Sequence, residues 1–236
     1  SINKHGLTYL VIAVVSGALI LGAVWGIYGN LQKKTEGFLV ALAGGALIVS
    51  TVLELINPAV EKANVLIALG IVLLGAGVFT ALDYLVKQQW GSDSGGGLLA
   101  AITLDGIPEN LALGVALIGA DALTVAALSG SIFLSNLPEA AGGAKEMTEN
   151  GASKKKILWL WSATAFILSL AALIGNWTLA DVSEEILAYI RCFAGGAVVA
   201  SLTIEVFPKA YKQDSYWAGI ATAIGLVLAF YLNSLG

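Results

Sequence analysis

The sequence reads Asp105-Gly106-Ile107-Pro108-Glu109-Asn110 at one point and Ser135-Asn136-Leu137-Pro138-Glu139-Ala140 at another. Both stretches lie in the middle of long apolar runs, and both place a glutamate directly after a proline. A carboxylate inside hydrocarbon is costly unless it faces a partner or an aqueous path. A proline in a membrane helix leaves a carbonyl of the preceding turn without its hydrogen bond. Together the two stretches predict a cation site within a membrane.

The composition is that of a polytopic membrane protein. Of the 236 residues, 58% are hydrophobic and 12% are charged, whereas about a quarter of a soluble domain is charged. Cys192 is the only cysteine, which excludes an intrachain disulfide. His5 is the only histidine, so one copy of the chain cannot hold a zinc ion between imidazoles.

Eight apolar runs, each roughly 18–25 residues long, are long enough to cross a hydrocarbon core of about 30 Å. The first run is too long for the apolar region of a signal peptide and lacks a convincing cleavage site, so it is counted as a span. The predicted spans cover about 7–28, 37–57, 64–86, 97–119, 122–144, 157–176, 184–207 and 214–234. We expect residues 1–236 to form a single transmembrane domain without a soluble module.

The basic residues predict the orientation of the spans. Nine of the 12 lysines and arginines lie in or beside the loops that follow spans one, three, five and seven. By the positive-inside rule, these loops face the cytoplasm and both termini lie outside it. We therefore expect an integral protein of the plasma (inner) membrane.

The sequence contains a short internal repeat. Residues 43–50 (AGGALIVS) resemble residues 194–201 (AGGAVVAS), and each segment is followed by a glutamate, Glu54 or Glu205, and then by a proline. Spans two and seven are thus predicted to be counterparts that enter the membrane from opposite sides. Inverted repeats of this kind are common in secondary transporters, whose substrate site lies where the halves meet.

The candidate metal ligands come from the two Pro-Glu stretches. Asp105 and Glu109 are four residues apart and so share one helix face. Ser135 and Glu139 repeat that spacing, and Asn136 adds an amide oxygen. This set of oxygen ligands suits a divalent cation, and no lysine or arginine lies at comparable depth in the predicted spans. The alternative is that the acids are protonated and bond between helices.

Glu54 and Glu205 have two interpretations. They could line the pathway by which a cation approaches the site. They also lie near the ends of their predicted spans, where capping or snorkelling explains an acid equally well.

At these residues the sequence resembles the ZIP (Zrt/Irt-like) family of divalent metal transporters. The fourth span of that family carries His-Asn-x-Pro-Glu-Gly, and the fifth carries His/Gln-x-x-Pro-Glu-Gly. The layout of eight spans with both termini outside is also similar. The resemblance implies an all-α polytopic membrane protein with eight transmembrane helices in an inverted 3+2+3 repeat. It also implies a transport unit that moves against a scaffold, which often dimerises.

This chain departs from the ZIP pattern at several positions, three of which concern the candidate metal ligands. Asp105 stands in place of the signature histidine, Gly106 in place of the asparagine, and Ser135 in place of the fifth-span histidine or glutamine. The histidine-rich loop of the family is also absent. The remaining all-oxygen set suits manganese, magnesium or ferrous iron, although carboxylates also bind zinc and the family resemblance implies zinc.

Three functions compete. The first is a carrier that moves zinc, manganese or iron into the cytoplasm, with the metal as substrate and no organic cofactor. The second is a ZIP-like membrane protein with a different substrate or a sensing role. The third, an intramembrane hydrolase, is disfavoured because the sequence has no His-Glu-x-x-His or paired aspartyl motif. We expect no enzyme activity, the lipid bilayer and metal ions as partners, a homodimer, and no nucleic-acid partner.

Overall fold

The computed structural model describes the backbone of residues 4–90, 95–120, 123 and 125–236. Within these residues the chain is all-helical, with no strand. The long helices are α1 Lys4–Tyr28, α2 Lys33–Lys62, α3 Val65–Trp90, α4 Gly95–Ala116, α5 Ala126–Glu149, α6 Lys154–Thr178, α7 Glu184–Gln213 and α8 Ser215–Ser234.

Six of these helices are long and apolar enough to cross a membrane, judged over the described residues. They are α1, α2, α3, α6, α7 and α8. Both α4 and α5 carry an internal proline, Pro108 or Pro138. Several boundaries differ from prediction: α2 continues to Lys62, α3 to Trp90, α5 to Glu149 and α7 to Gln213. These extensions are largely polar helical turns, which an apolar-run criterion ends too early.

Apolar side chains cover much of the outer surface of the helices. Leu66 and Leu73 on α3 are 81% and 75% exposed, and α8 exposes a similar row of large apolar residues. A soluble protein rarely exposes an apolar surface of this extent. The surface is that expected of helices facing lipid.

The helices pack in four principal pairs. They are α1 with α5, α2 with α8, α3 with α7, and α4 with α6. Further contacts join α1 to α6, α2 to α5, and α4 to α7. The proline-containing helices α4 and α5 are thus held between the other elements, so any site that they carry lies inside the bundle.

Two of the pairs are built on the same glycine contact. In the α2–α8 pair, Gly45 and Gly225 each lie against a backbone carbonyl of the opposite helix, and Gly196 and Gly75 do the same in the α7–α3 pair. A Cβ atom at any of the four positions would overlap that carbonyl. Only glycine permits helices to approach this closely.

Helices α2 and α7 each contain a π-helical segment, Thr51–Ile56 and Leu202–Val206. At their ends, the N–H of Asn57 donates to Val52 O and the N–H of Phe207 donates to Leu202 O, a spacing of five residues. A proline follows each segment within two residues and cannot supply the next α-helical hydrogen bond. Such π turns are frequent at functional sites, and here each contains one glutamate of the repeated segment.

Candidate metal site and access cavities

The two glutamates that follow the prolines of α4 and α5 interact with each other inside the bundle. Pro108 and Pro138 have no N–H, so the carbonyls one turn earlier lose their helical donor. Glu109 is 9% exposed, Glu139 is partly buried, and the two carboxylates are close enough to repel each other. Two like charges held together in this way favour a cation between them.

Asp105 lies in α4, one turn before Glu109. Its side chain falls outside the described residues, so its predicted role as a ligand stays a prediction. Gly106, which replaces the family's asparagine, is buried against the side chain of Leu168 on α6. A larger residue at 106 would have to displace that leucine.

Asn136 is 3% exposed, and its Nδ2 donates to the backbone carbonyl of Val15 at 3.0 Å. This bond ties α5 to α1 and fixes the amide, so its Oδ1 remains as the atom that could bind a metal. Ser135 is partly buried beside it. The described part of the predicted ligand set is therefore two carboxylates, one amide oxygen and one hydroxyl.

No group of three or more His, Cys, Asp or Glu side chains suited to a metal ion occurs among the described residues. Among the predicted ligands, the described side chains include only two carboxylates, Glu109 and Glu139, and Asp105 was predicted to be the third. A complete carboxylate site thus depends on Asp105 joining the pair.

Asn110 is a polar residue at the site to which the sequence analysis assigned no role. It is 1% exposed, its Nδ2 donates to Gly106 O at 2.9 Å, and its Oδ1 is buried without a partner in the described structure. A buried carbonyl oxygen without a donor is costly. The sequence feature that could have identified Asn110 is its position directly after Glu109, because a polar side chain there enters the same buried region.

Glu205 has a basic partner, which the sequence analysis did not anticipate. Lys87 Nζ lies 2.5 Å from Glu205 Oε1 and 2.9 Å from Asp83 Oδ2. Asp83 itself is 3% exposed. The pair forms because α3 extends far enough to carry Lys87 alongside α7.

Glu54 has a different environment from its counterpart. Both of its carboxylate oxygens are buried without a hydrogen-bond partner in the part of the chain that the structure describes. The Asn233 amide and the Leu128 backbone lie beside them without reaching hydrogen-bond geometry. Glu54, Asn233 and Arg191 line one cavity of about 200 Å³. The role of Glu54 on a cation pathway stays a prediction.

A larger cavity of about 420 Å³ opens at the other end of α2 and α7. Its lining includes four lysines and three glutamates, among them Glu36 and Lys209, which form an ion pair of 3.1 Å. Gly142 of α5 lies against this pair, and a Cβ atom there would overlap the Glu36 carboxylate. Glu139 interacts electrostatically with Lys209, which connects the predicted metal site to this cavity.

The arrangement is two electrostatically coupled carboxylates in proline-containing helices, with a cavity toward each end of α2. No protein-family model matches the chain, and no curated protein matches it. Chemically, the described groups can attract a cation, offer it oxygen ligands and connect it to either end of the bundle.

Proposed function

We propose that the protein is a ZIP-like carrier that moves a divalent metal ion into the cytoplasm through a site on α4 and α5. The observation that carries the proposal is the electrostatic interaction between Glu109 and Glu139, each of which follows a proline inside its helix. Two carboxylates held away from water without a cation repel each other and lose hydration. A bound divalent ion would remove both costs.

The proposed architecture is eight transmembrane helices in an inverted 3+2+3 repeat. Under this arrangement α1, α2 and α3 correspond to α6, α7 and α8, and α4 corresponds to α5. The packing supports this correspondence, because replacing each helix of a pair by its counterpart gives another observed pair. The α1–α5 pair corresponds to the α6–α4 pair, and the α2–α8 pair corresponds to the α7–α3 pair. The glycine contacts and the π-helical segments follow the same exchange. Related halves of this kind allow a central site to open to each side in turn.

The proposed direction of transport follows from the lysines. The 420 Å³ cavity contains four of the lysines that the positive-inside rule assigns to the cytoplasm. The cavity at Glu54 then faces the opposite side. A metal ion would pass from Glu54 to Glu109 and Glu139 and leave past Lys209 and Glu36.

The proposed substrate is manganese, ferrous iron or zinc. The ligands are carboxylate, amide and hydroxyl oxygens, which favour the harder ions. Zinc remains a substrate because carboxylates also bind it.

The test is metal uptake into proteoliposomes containing the purified protein. We expect uptake of at least one of the three ions, and its loss in Glu109→Gln and in Glu139→Gln. Glu61→Gln, the same change at an exposed position near the end of α2, is the matched control and should transport normally. Equal uptake by all variants would overturn the assignment of the site. Metal binding without uptake would instead favour the sensing role.

A further inference from the structure

Arg191 lies between two cavities. The inner one, of about 200 Å³, is also lined by Glu54, Asn233 and Pro58. The outer one, of about 220 Å³, is also lined by Lys62 and Glu184. Because the same guanidinium borders both spaces, a cation that travels from the outer cavity to the inner one must pass it.

The charges in the inner cavity are opposite but not joined. The oxygens of Glu54 and the Nε of Arg191 are buried without hydrogen-bond partners within the described structure. None of the ion pairs among the described residues joins Arg191 to Glu54. By contrast, Lys87 contacts Glu205 directly. The space between the unpaired charges is therefore available to a ligand.

Arg191 also has an acidic neighbour on its outer side. Glu184 interacts with it electrostatically and is seven residues earlier on α7, two turns away on the same face. Glu184 forms an exposed 3.7 Å ion pair with Lys62. The guanidinium thus has one carboxylate on the inner side and another on the outer side.

We propose that Glu54 and Asn233 form a second cation-binding station on the outer route, with Arg191 as the residue that controls access to it. When the station is empty, Arg191 supplies the positive charge that balances Glu54. When a divalent cation enters, Arg191 moves toward Glu184 and the cation takes its place beside Glu54. This inference rests on the proposed function, because it assumes that the transported ion is a cation.

The station offers only oxygen ligands to the cation. They are the Glu54 carboxylate and the Asn233 amide oxygen. A ligand set with one carboxylate binds a divalent ion weakly, and the positive charge of Arg191 weakens it further. The station is therefore suited to brief occupancy on a pathway.

The test measures binding of Mn²⁺ alone to purified protein in detergent, by electron paramagnetic resonance. All variants carry Glu109→Gln and Glu139→Gln, which remove the central site, so residual binding reports on the station. We expect Arg191→Gln to tighten Mn²⁺ binding by about tenfold or more, since a unit charge that repels the ion is lost. Arg191→Lys keeps the charge and should leave the affinity within about twofold. Adding Glu54→Gln to Arg191→Gln should abolish the gain.

Two results would overturn the proposal: Arg191→Gln without a gain in affinity, or a gain that persists in Glu54→Gln. Elution as a single species and an unchanged metal-free melting temperature establish that each variant is folded. A different experiment tests the proposed function. That function would be overturned if proteoliposomes of the parent protein took up none of the three ions, or if Glu109→Gln and Glu139→Gln left uptake unchanged.

Discussion

Lys87 of α3 reaches Glu205 of α7 at 2.5 Å across 118 positions of sequence. Glu54, which occupies the corresponding position of the repeated segment, has no such partner in the described structure and borders a cavity. The two glutamates thus have similar local sequences and different environments. Glu205 is in an ion pair, whereas the buried Glu54 borders a cavity without one, which is the asymmetry expected if only one of them receives a mobile cation.

Removing Lys87 should destabilise the protein. Lys87→Met would leave Asp83 and Glu205 without a counter-charge, and Asp83 is 3% exposed. We expect a loss of about 1–2 kcal/mol, less than for a fully buried pair, because the lysine side chain is 43% exposed. Thermal unfolding in detergent measures the loss. Lys87→Arg is the control, and the triple variant with Asp83→Asn and Glu205→Gln should regain stability. A Lys87→Met protein as stable as the parent would show that the pair contributes nothing.

The two central glutamates should control metal-dependent stability. Glu109→Gln and Glu139→Gln should each abolish the rise in melting temperature that the parent shows with manganese or zinc, since a lost carboxylate weakens binding and the stabilisation linked to it. Thermal shift assays at several metal concentrations measure this effect. The exposed Glu61→Gln should keep the full shift. If both central variants respond to metal like the parent, the ion binds elsewhere.

Asp105 should influence the choice of metal. Asp105→His introduces an imidazole, which favours zinc over manganese relative to a carboxylate. Competition between the two ions for the purified protein should move toward zinc. Asp105→Asn, which removes the charge without adding a nitrogen ligand, distinguishes this effect from simple weakening. An unchanged ratio in the histidine variant would exclude Asp105 as a direct ligand.

Two glycines of α3 should respond in opposite ways to the same substitution. A Cβ at Gly75 would overlap the backbone of Phe193 on α7, whereas Gly77 has nothing within 4 Å. Gly75→Ala should therefore cost about 1–3 kcal/mol through overpacking. Gly77→Ala should be neutral or stabilise by up to about 1 kcal/mol, because alanine is the better helix former. Thermal unfolding of the two variants compares them directly, and equal effects would contradict the close α3–α7 contact.

Alternating access predicts opposite changes at the two cavities. Single cysteines at Val182, in the outer cavity, and at Glu146, in the 420 Å³ cavity, should react with a water-soluble thiol reagent. A cysteine at Gly114 would not serve this purpose, because its side chain would overlap the backbone of α6. With Cys192 replaced by alanine, added metal should slow labelling at one position and accelerate it at the other. If added metal changed the labelling rate at neither position, alternating access would lose its support.

The sequence by itself determined the helices and the positions of the Pro-Glu pairs. A run of apolar residues long enough to cross a membrane is a local property, as is the helical hydrogen bond lost at Pro108 and Pro138, although both helices continue through these prolines. The match between the segments around Glu54 and Glu205 was also readable, and both segments contain a π turn. The additional polar turns of α3 and α7 were missed because hydropathy does not detect them.

Only the tertiary structure decided which groups meet. The sequence places Lys87 just beyond span three and Arg191 near the start of span seven, but it gives neither the rotation of a helix nor its neighbours. Those depend on packing contacts such as Gly75 and Gly196, which set how closely α3 and α7 approach. The same carboxylate is then paired or left facing a cavity according to which helix lies beside it, because charge interactions act through space and not along the chain.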